Sequence, residues 1–249
     1  MKYISLYLVM IFCSLSCKDG VDTSIHSGQK ESLIQKPTRL DSLEKISVKM
    51  YERNPVRSIP FYDEMANIYA TQNRSVERAQ THLKLSNIYT DHTNDIKKAS
   101  HHAHMALGIY EQLRDTVQMA NLFGYCGYMS AAEGNVEFGK LQLNKAEQLY
   151  IGLNDQDGKT TTYFNMAKVF YIAREYQQSE KFLKLAKNYW TQKGDFVNVF
   201  SANNFAIKLF KELENASAIK TVIEENRAFL AKHKIDKALE SAFVKLSEN

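Results

Sequence analysis

The sequence predicts an all-α protein, a solenoid of about five antiparallel helix pairs followed by one more helix at the C-terminus. Three observations carry this. Only three prolines occur, Pro37, Pro55 and Pro60, and none lies between Phe61 and Asn249. Proline breaks helix interiors and punctuates the loops of β-proteins, so a proline-free run this long favours helix. Ala, Leu, Lys, Glu, Gln and Met are frequent in that run, and all are good helix formers. Small, apolar and aromatic residues also recur there every forty residues, the mark of stacked repeats. With 44% hydrophobic and 24% charged residues, the chain can bury a core and stay soluble.

The N-terminus reads as an address. Met1-Lys2 precedes an apolar run, Ile4 to Phe12, and then Cys13-Ser14-Leu15-Ser16-Cys17. A basic start, a short apolar stretch and small residues describe a secretory signal. The run is shorter than the ~20 apolar residues of a membrane span. Ser16-Cys17 resembles the end of a bacterial lipobox, which implies lipid attachment at Cys17. The usual leucine three residues before the cysteine is Ser14 here, and Leu15 stands one place late. Cys13 follows bulky Phe12 and is the poorer site. Lys18-Asp19 resembles the tag for the outer face of the outer membrane in some Gram-negative bacteria. The expected location is therefore the bacterial cell envelope, as an outer-membrane lipoprotein facing the periplasm or the cell surface. The alternatives are a plain cleaved secretory peptide, giving a secreted or periplasmic protein, or an uncleaved anchor. The expected boundaries are a signal at 1–16, a flexible linker at 17–36 and a repeat domain at 37–249. Gly20, Gly28 and several Ser, Thr and Lys make the linker polar.

The first repeat is worn. Leu43, Ile46, Ser47 and Met50 share a helix face, and Ala66 lies on the next helix. The aromatic expected at 70 is Ala70, with Tyr69 one residue early. The middle units are regular. Ala106, Ala146 and Ala186 are forty apart, as are Ala99, Gly139 and Ser179. Ala103, Leu143 and Leu183 keep step, and so do Tyr110, Tyr150 and Trp190. Small residues seven apart lie on one helix face, where a neighbouring helix can come close. Arg114-Asp115, Asn154-Asp155 and Gly194-Asp195 end the units, each Asp placed to cap the next helix. Beyond them Phe205-Ala206, Ala218, Val222 and Phe229 match at thirty-nine, a slip of one. Ile235 to Ser247, with Ala238, Leu239, Ala242, Phe243 and Leu246 on one face, reads as a capping helix.

The first helix of each middle pair carries a large-small pair, Cys126-Gly127 and Met166-Ala167, then a short turn, then a second helix with spaced small residues. This resembles the tetratricopeptide repeat (TPR) over roughly residues 40–232. The resemblance implies a right-handed superhelix whose first helices line a concave groove that binds partners. The family's usual period is thirty-four, so these helices should be longer, by about 9 Å per pair if all six extra residues are helical. By analogy with its groove positions, the candidates are Asn87, Tyr128, Lys168 and Tyr171, with Asn203 and Phe210 beyond. Residues 116–132, 160–167 and 196–207 carry no charge, whereas the second helices hold Glu175, Glu180, Lys181, Lys184 and Lys187. The groove should therefore be apolar and aromatic, with scattered amides. The family's clamp for acidic peptide ends needs more Lys, Arg and Asn than Lys168 and a few Asn supply, so an apolar or aromatic segment suits it better.

These readings point to a non-enzymatic scaffold, anchored to the membrane by lipid, whose partner is a protein or peptide. The alternative is the extracytoplasmic sensor module of a bacterial signalling system. No cofactor is expected. The net charge of +4, or +3 without Lys2, and the lack of a basic stripe argue against nucleic acid. No phosphate loop, nucleophile motif or paired carboxylate pattern stands out. His101 and His104 have ligand spacing, but no third ligand accompanies them, so surface histidines are favoured over metal. Cys126 reads as a small buried residue.

Overall fold

The computed structural model describes residues 38–233. The signal sequence, Cys17, the linker and the capping stretch Ile235–Ser247 lie outside the described residues. Among the described residues ten α-helices follow one another: α1 (Arg39–Arg53), α2 (Pro55–Thr71), α3 (Ser75–Ile88), α4 (Ile96–Leu113), α5 (Thr116–Ala132), α6 (Val136–Gly152), α7 (Gln156–Ile172), α8 (Tyr176–Lys193), α9 (Phe196–Glu212) and α10 (Ala216–His233). A π-helical segment, Tyr89–Thr93, extends α3. No strand occurs among the described residues. Consecutive helices pack as antiparallel pairs, and the pairs stack into a solenoid.

Local chemistry sets the period. The helices α5, α6, α7 and α9 each run seventeen residues. A three-residue turn follows each, so from Ile96 onward a helix starts every twenty residues. These turns, and the two-residue turns after α4 and α8, each put one residue in the left-handed region: Arg114, Gly134, Asn154, Arg174, Gly194 and Glu214. Asp115, Asp155 and Asp195 then accept from the backbone N–H groups of Gln118, Gly158 and Asn198. Each satisfies an N–H that the first helical turn leaves without a partner.

The columns are the core. Ala99, Ala103, Ala106, Ala146, Ser179 and Ala186 have no exposed surface. A close helix crossing joins Gly127 to Gly139. A Cβ on Gly139 would lie 2.5 Å from the Gly127 carbonyl oxygen. Forty residues on, Ser179 Oγ donates to the Ala167 carbonyl at 2.7 Å. One unit earlier, Ser86 Oγ donates to the Ala99 carbonyl at 2.8 Å. The aromatic column closes the far end of each pair. Tyr150 reaches Asn121 Oδ1 at 2.6 Å, and its ring covers Gly158 so closely that a Cβ there would overlap it.

The worn first unit has a structural cause. Helices α2 and α3 start at Pro55 and Ser75, each one residue ahead of the register of Ile96 and Thr116. Tyr69 therefore fills the aromatic column despite its number; it is buried and donates to Glu44 Oε1 at 2.7 Å. Twenty-one residues separate the starts of α3 and α4. The wider π turn takes up the extra one, as π turns inside α-helices do. At the other end the expected slip to thirty-nine does not reach the helix boundaries. Phe196 and Ala216 start α9 and α10 in step with Gln156 and Tyr176. Asn226 stands forty residues after Ala186 and is buried in its place. An amide in a column of alanines needs a partner, and Asn203 Nδ2 donates to its Oδ1 at 2.7 Å.

Candidate interaction surface

The first helices α5 and α7 touch directly, and ring contacts of Phe164 and Tyr171 with Phe205 join α7 to α9. One residue beyond each close crossing, the side chain turns from the pair's core to the face shared by these first helices. Tyr128, Lys168 and Lys208 occupy this place at forty-residue intervals on α5, α7 and α9. Asn87, one residue early like the rest of α3, begins the same column and is exposed.

Lys168 is the centre of the surface. Its Nζ lies 4.2 Å from the Phe164 ring centroid and 5.4 Å from that of Tyr128. Among the described residues it makes no ion pair with a carboxylate. Burial, and then the charge of Lys208, push its amine down from 10.5 to about 8. The rings oppose this, since a cation over aromatic faces gains about 0.5–2 kcal/mol.

An aromatic cluster continues from this amine. Phe164 meets Phe205 of α9 edge-on at 5.8 Å and Trp190 at 5.4 Å. Tyr171 meets Phe205 edge-on at 5.5 Å. The hydroxyls of Tyr171 and Tyr176 both donate to Glu212, each at 3.2 Å. Asn165 Nδ2 donates to the Gly124 carbonyl of α5 at 3.4 Å. Asn204 Oδ1 is buried and has no hydrogen-bond partner.

The structure brings Tyr128, Lys168 and Tyr171 onto one wall and takes Asn203 off it. Asn203 is buried against α10 through Asn226, which takes it out of reach of a partner. Phe210 is half-buried against the core shared by α7 to α10. Lys208, Phe164, Phe205 and Asn204 belong to the wall and are not among the sequence candidates. The forty-residue column through Tyr128 and Lys168 is the signal that points to Lys208.

The histidines are arranged differently from a metal centre. His104 Nδ1 bonds to the Ser100 carbonyl at 2.9 Å, and its Nε2 accepts from Gln142 at 3.0 Å. His101 is exposed and packs edge-on against His102. The close pair is instead His82 and His102, whose Nδ1 atoms are 3.2 Å apart. Among the described residues no three His, Cys, Asp or Glu side chains are placed to hold a metal. Cys126 is buried, and burial pushes its thiol up to about 12. That makes it an inert packing residue. Among the described residues no helix is long and apolar enough to cross a membrane. A recess of about 310 Å³ lies between the outer helices α4 and α6, lined by His104, Leu107, Gly108, Phe138 and Leu141.

No family model matches the sequence, and no curated protein matches it significantly. The solved structures do. A kinesin-light-chain-like protein of Podosopora anserina with nearly identical TPR-like repeats aligns at 12% identity with a TM-score of 0.61, covering 82% of this chain and 100% of that one. A variant of that protein gives 12% identity and 0.63, over 80% and 97%. BtubC (BKLC) from P. vanneervenii aligns at 10% identity with a TM-score of 0.55, over 78% and 91%.

Proposed function

From the TPR-like solenoid that the chain shares with these structures, we propose that it is a protein-interaction scaffold whose inner wall docks a segment of a partner protein or peptide. The observation that carries this is the wall itself. Lys168, with no carboxylate paired to it among the described residues, stands beside the half-buried rings of Tyr128, Phe164, Tyr171 and Phe205 on the face shared by α5, α7 and α9. Aromatic rings supply large contact areas at low entropic cost. An amine without a counter-ion gains most from a polar or acidic atom delivered by a ligand. The segment that suits this wall is apolar or aromatic and presents one such atom to Lys168.

A photo-crosslinking amino acid at Tyr128, in cells, tests the reading. A partner should be captured there but not from Lys184 on the outer layer, and Tyr171→Ala with Phe205→Ala should abolish the capture. Equal capture from both positions would remove the wall from the account.

The cellular setting proposed is the bacterial envelope, with Cys17 as lipid anchor. The lipobox-like Ser16-Cys17 after a short apolar run supports it. Cys17→Ser should release the protein from membranes and end its labelling by fatty acid; continued lipid labelling of that variant would refute the anchor.

A further inference from the structure

We infer that the outer groove between α4 and α6 is a homodimer interface, which a second copy of this chain covers face to face. It lies on the layer of second helices and does not depend on the reading of the inner wall. Helix α5 packs on both α4 and α6, and its Phe123 lines the groove beneath them. Two recesses of about 310 and 340 Å³ follow one another along the groove and share His104 and Phe138. The repeat supplies the comparison that marks this groove as unusual. Phe138 stands where α4 has Lys98, α8 has Gln178 and α10 has Ala218. Leu141 stands where they have His101, Lys181 and Thr221. These two apolar side chains are 52% and 60% exposed. Gly108 is a second departure. Glycine weakens a helix interior, and its counterparts forty and eighty residues on are Gln148 and Asn188. No close approach among the described residues requires it, since a Cβ there would meet no neighbouring atom within 4 Å. Its effect is to keep the recess open.

The charges say what covers the groove. One end is lined by Lys97 of α4 and Glu133 of the turn before α6, the other by Glu111 of α4 and Lys145 of α6. All four are exposed, and none belongs to an ion pair among the described residues. The neighbouring Lys98, Glu137 and Lys140 are all paired. Because α4 and α6 run in the same direction, the four free charges stand at the corners of the groove with like signs on the diagonals. A two-fold axis in the plane of contact, along or across the helices, sets every lysine opposite a glutamate of the other copy. The pattern is complementary to itself, as an isologous interface requires. The same symmetry brings Phe138 and Leu141 of each copy over the apolar groove of the other. The face runs about 21 Å from Lys97 to Glu111, at 1.5 Å per residue, and about 20 Å across two helices. That is about 400 Å² per copy, half of a standard interface, so the dimer is weak and reversible.

Sedimentation velocity of the full chain, at concentrations up to about 500 μM, tests this, since an interface of this size suits a Kd on the order of 10–100 μM. The parent should pass from monomer to dimer across the series. Leu141→Asn should raise Kd about tenfold or more, with the melting temperature of the dilute protein unchanged because the side chain is exposed. Gly108→Gln, which installs the residue that α6 carries in the same column, should raise the melting temperature and abolish the dimer. Two charge variants test the symmetry. Glu111→Lys with Glu133→Lys makes all four corners cationic, and Lys97→Glu with Lys145→Glu makes all four anionic. Each should stay monomeric alone, and the two should form a one-to-one dimer when mixed. Charge variants that fail to pair in the mixture, or a dimer that survives Gly108→Gln and Leu141→Asn, overturn the inference. So does a parent that stays monomeric throughout, which would leave the groove to a different protein. Crosslinking from Tyr128 should persist in Leu141→Asn, so the fate of the inner wall is read separately.

Discussion

Arg114 shows how a single side chain bears the cost of the repeat. It holds a left-handed backbone at φ 55° to end α4, a conformation that glycine adopts without strain. Arg114→Gly should therefore stabilise the fold by about 0.5–1 kcal/mol, after allowance for the freer unfolded chain. Chemical denaturation measures this, and a loss of stability would mean that the arginine side chain matters more than its backbone. At Ala146 the opposite constraint holds. A Cβ on Gly124 would stand 3.9 Å from the Ala146 Cβ, leaving no room for a ring. Ala146→Phe should cost about 1–3 kcal/mol, and an unchanged melting temperature would refute the packing described. His82 is buried between α3 and α4, its imidazole held down to about 4 by burial, with the charges of His102, Arg78 and His101 adding to this. Asp63, close to His102, acts on that ring in the opposite sense. Because the folded value lies below the ordinary 6.5, the unfolded chain binds more protons between pH 6.5 and 4. Stability should then fall as pH drops through that window, by up to about 3 kcal/mol, and be unaffected above it. The slope should flatten in His82→Gln, with denaturant midpoints at pH 7.5 and 4.5 as the measurement. An equal slope in both proteins would place the proton uptake elsewhere.

Among the elements, the π segment is the one that sequence periodicity does not reveal. Its effect is visible as Tyr69 standing one residue early, but a one-residue offset has no local signature when nothing but spacing changes. The segment predicts an unusual tolerance. Deleting exposed His92 should let α3 finish as a plain α-helix, and the melting temperature should change by only a few degrees. A one-residue deletion inside α5 rotates every later side chain by about 100°, so deleting Tyr125 should unfold the neighbouring pairs. Equal damage from both deletions would show that the π turn does not absorb the extra residue. The C-terminal unit teaches the reverse lesson. Its small-residue column reads as broken because Asn226 replaces alanine, and matching Ala218 and Val222 instead produces a false slip of register. Only the pairing of Asn226 with Asn203 reveals that the position is still core. The same contact explains why Asn203, polar and on a first helix, reads as a groove residue in the sequence. Polarity in a sequence does not say whether a partner amide waits on the next helix.

At the scale of the whole molecule, packing joins only elements close in sequence order, as in other solenoids, where stability is a sum of units and their interfaces. This is why the fold is legible from the chain: spacing and small residues specify it locally. The wall is legible only in part, since Tyr128 and Lys168 follow from the repeat while Phe164 and Phe205 become surface residues through the stacking of α7 on α9. The regular spacing makes a strong demand. Removing residues 116–155 joins Asp115 directly to Gln156 and keeps every remaining column in step. The shortened chain should fold, with circular dichroism per residue close to that of the parent and a lower melting temperature. A largely unfolded product would mean that the third pair, with its close glycine crossing, is an indispensable keystone.

The ladder formed by Asn87, Tyr128, Lys168 and Lys208 also acts as a ruler. Packed helices lie about 8–10 Å apart, so the rungs on α5 and α7, which pack directly on each other, stand at roughly that distance. An extended β-strand advances about 3.3 Å per residue and turns alternate side chains away, so three residues along it the next side chain faces the wrong way. A polyproline II segment climbs about 9.3 Å in three residues and brings the third side chain back to the same face. If the wall docks a partner as proposed, the step from Tyr128 to Lys168 favours a segment read in triplets.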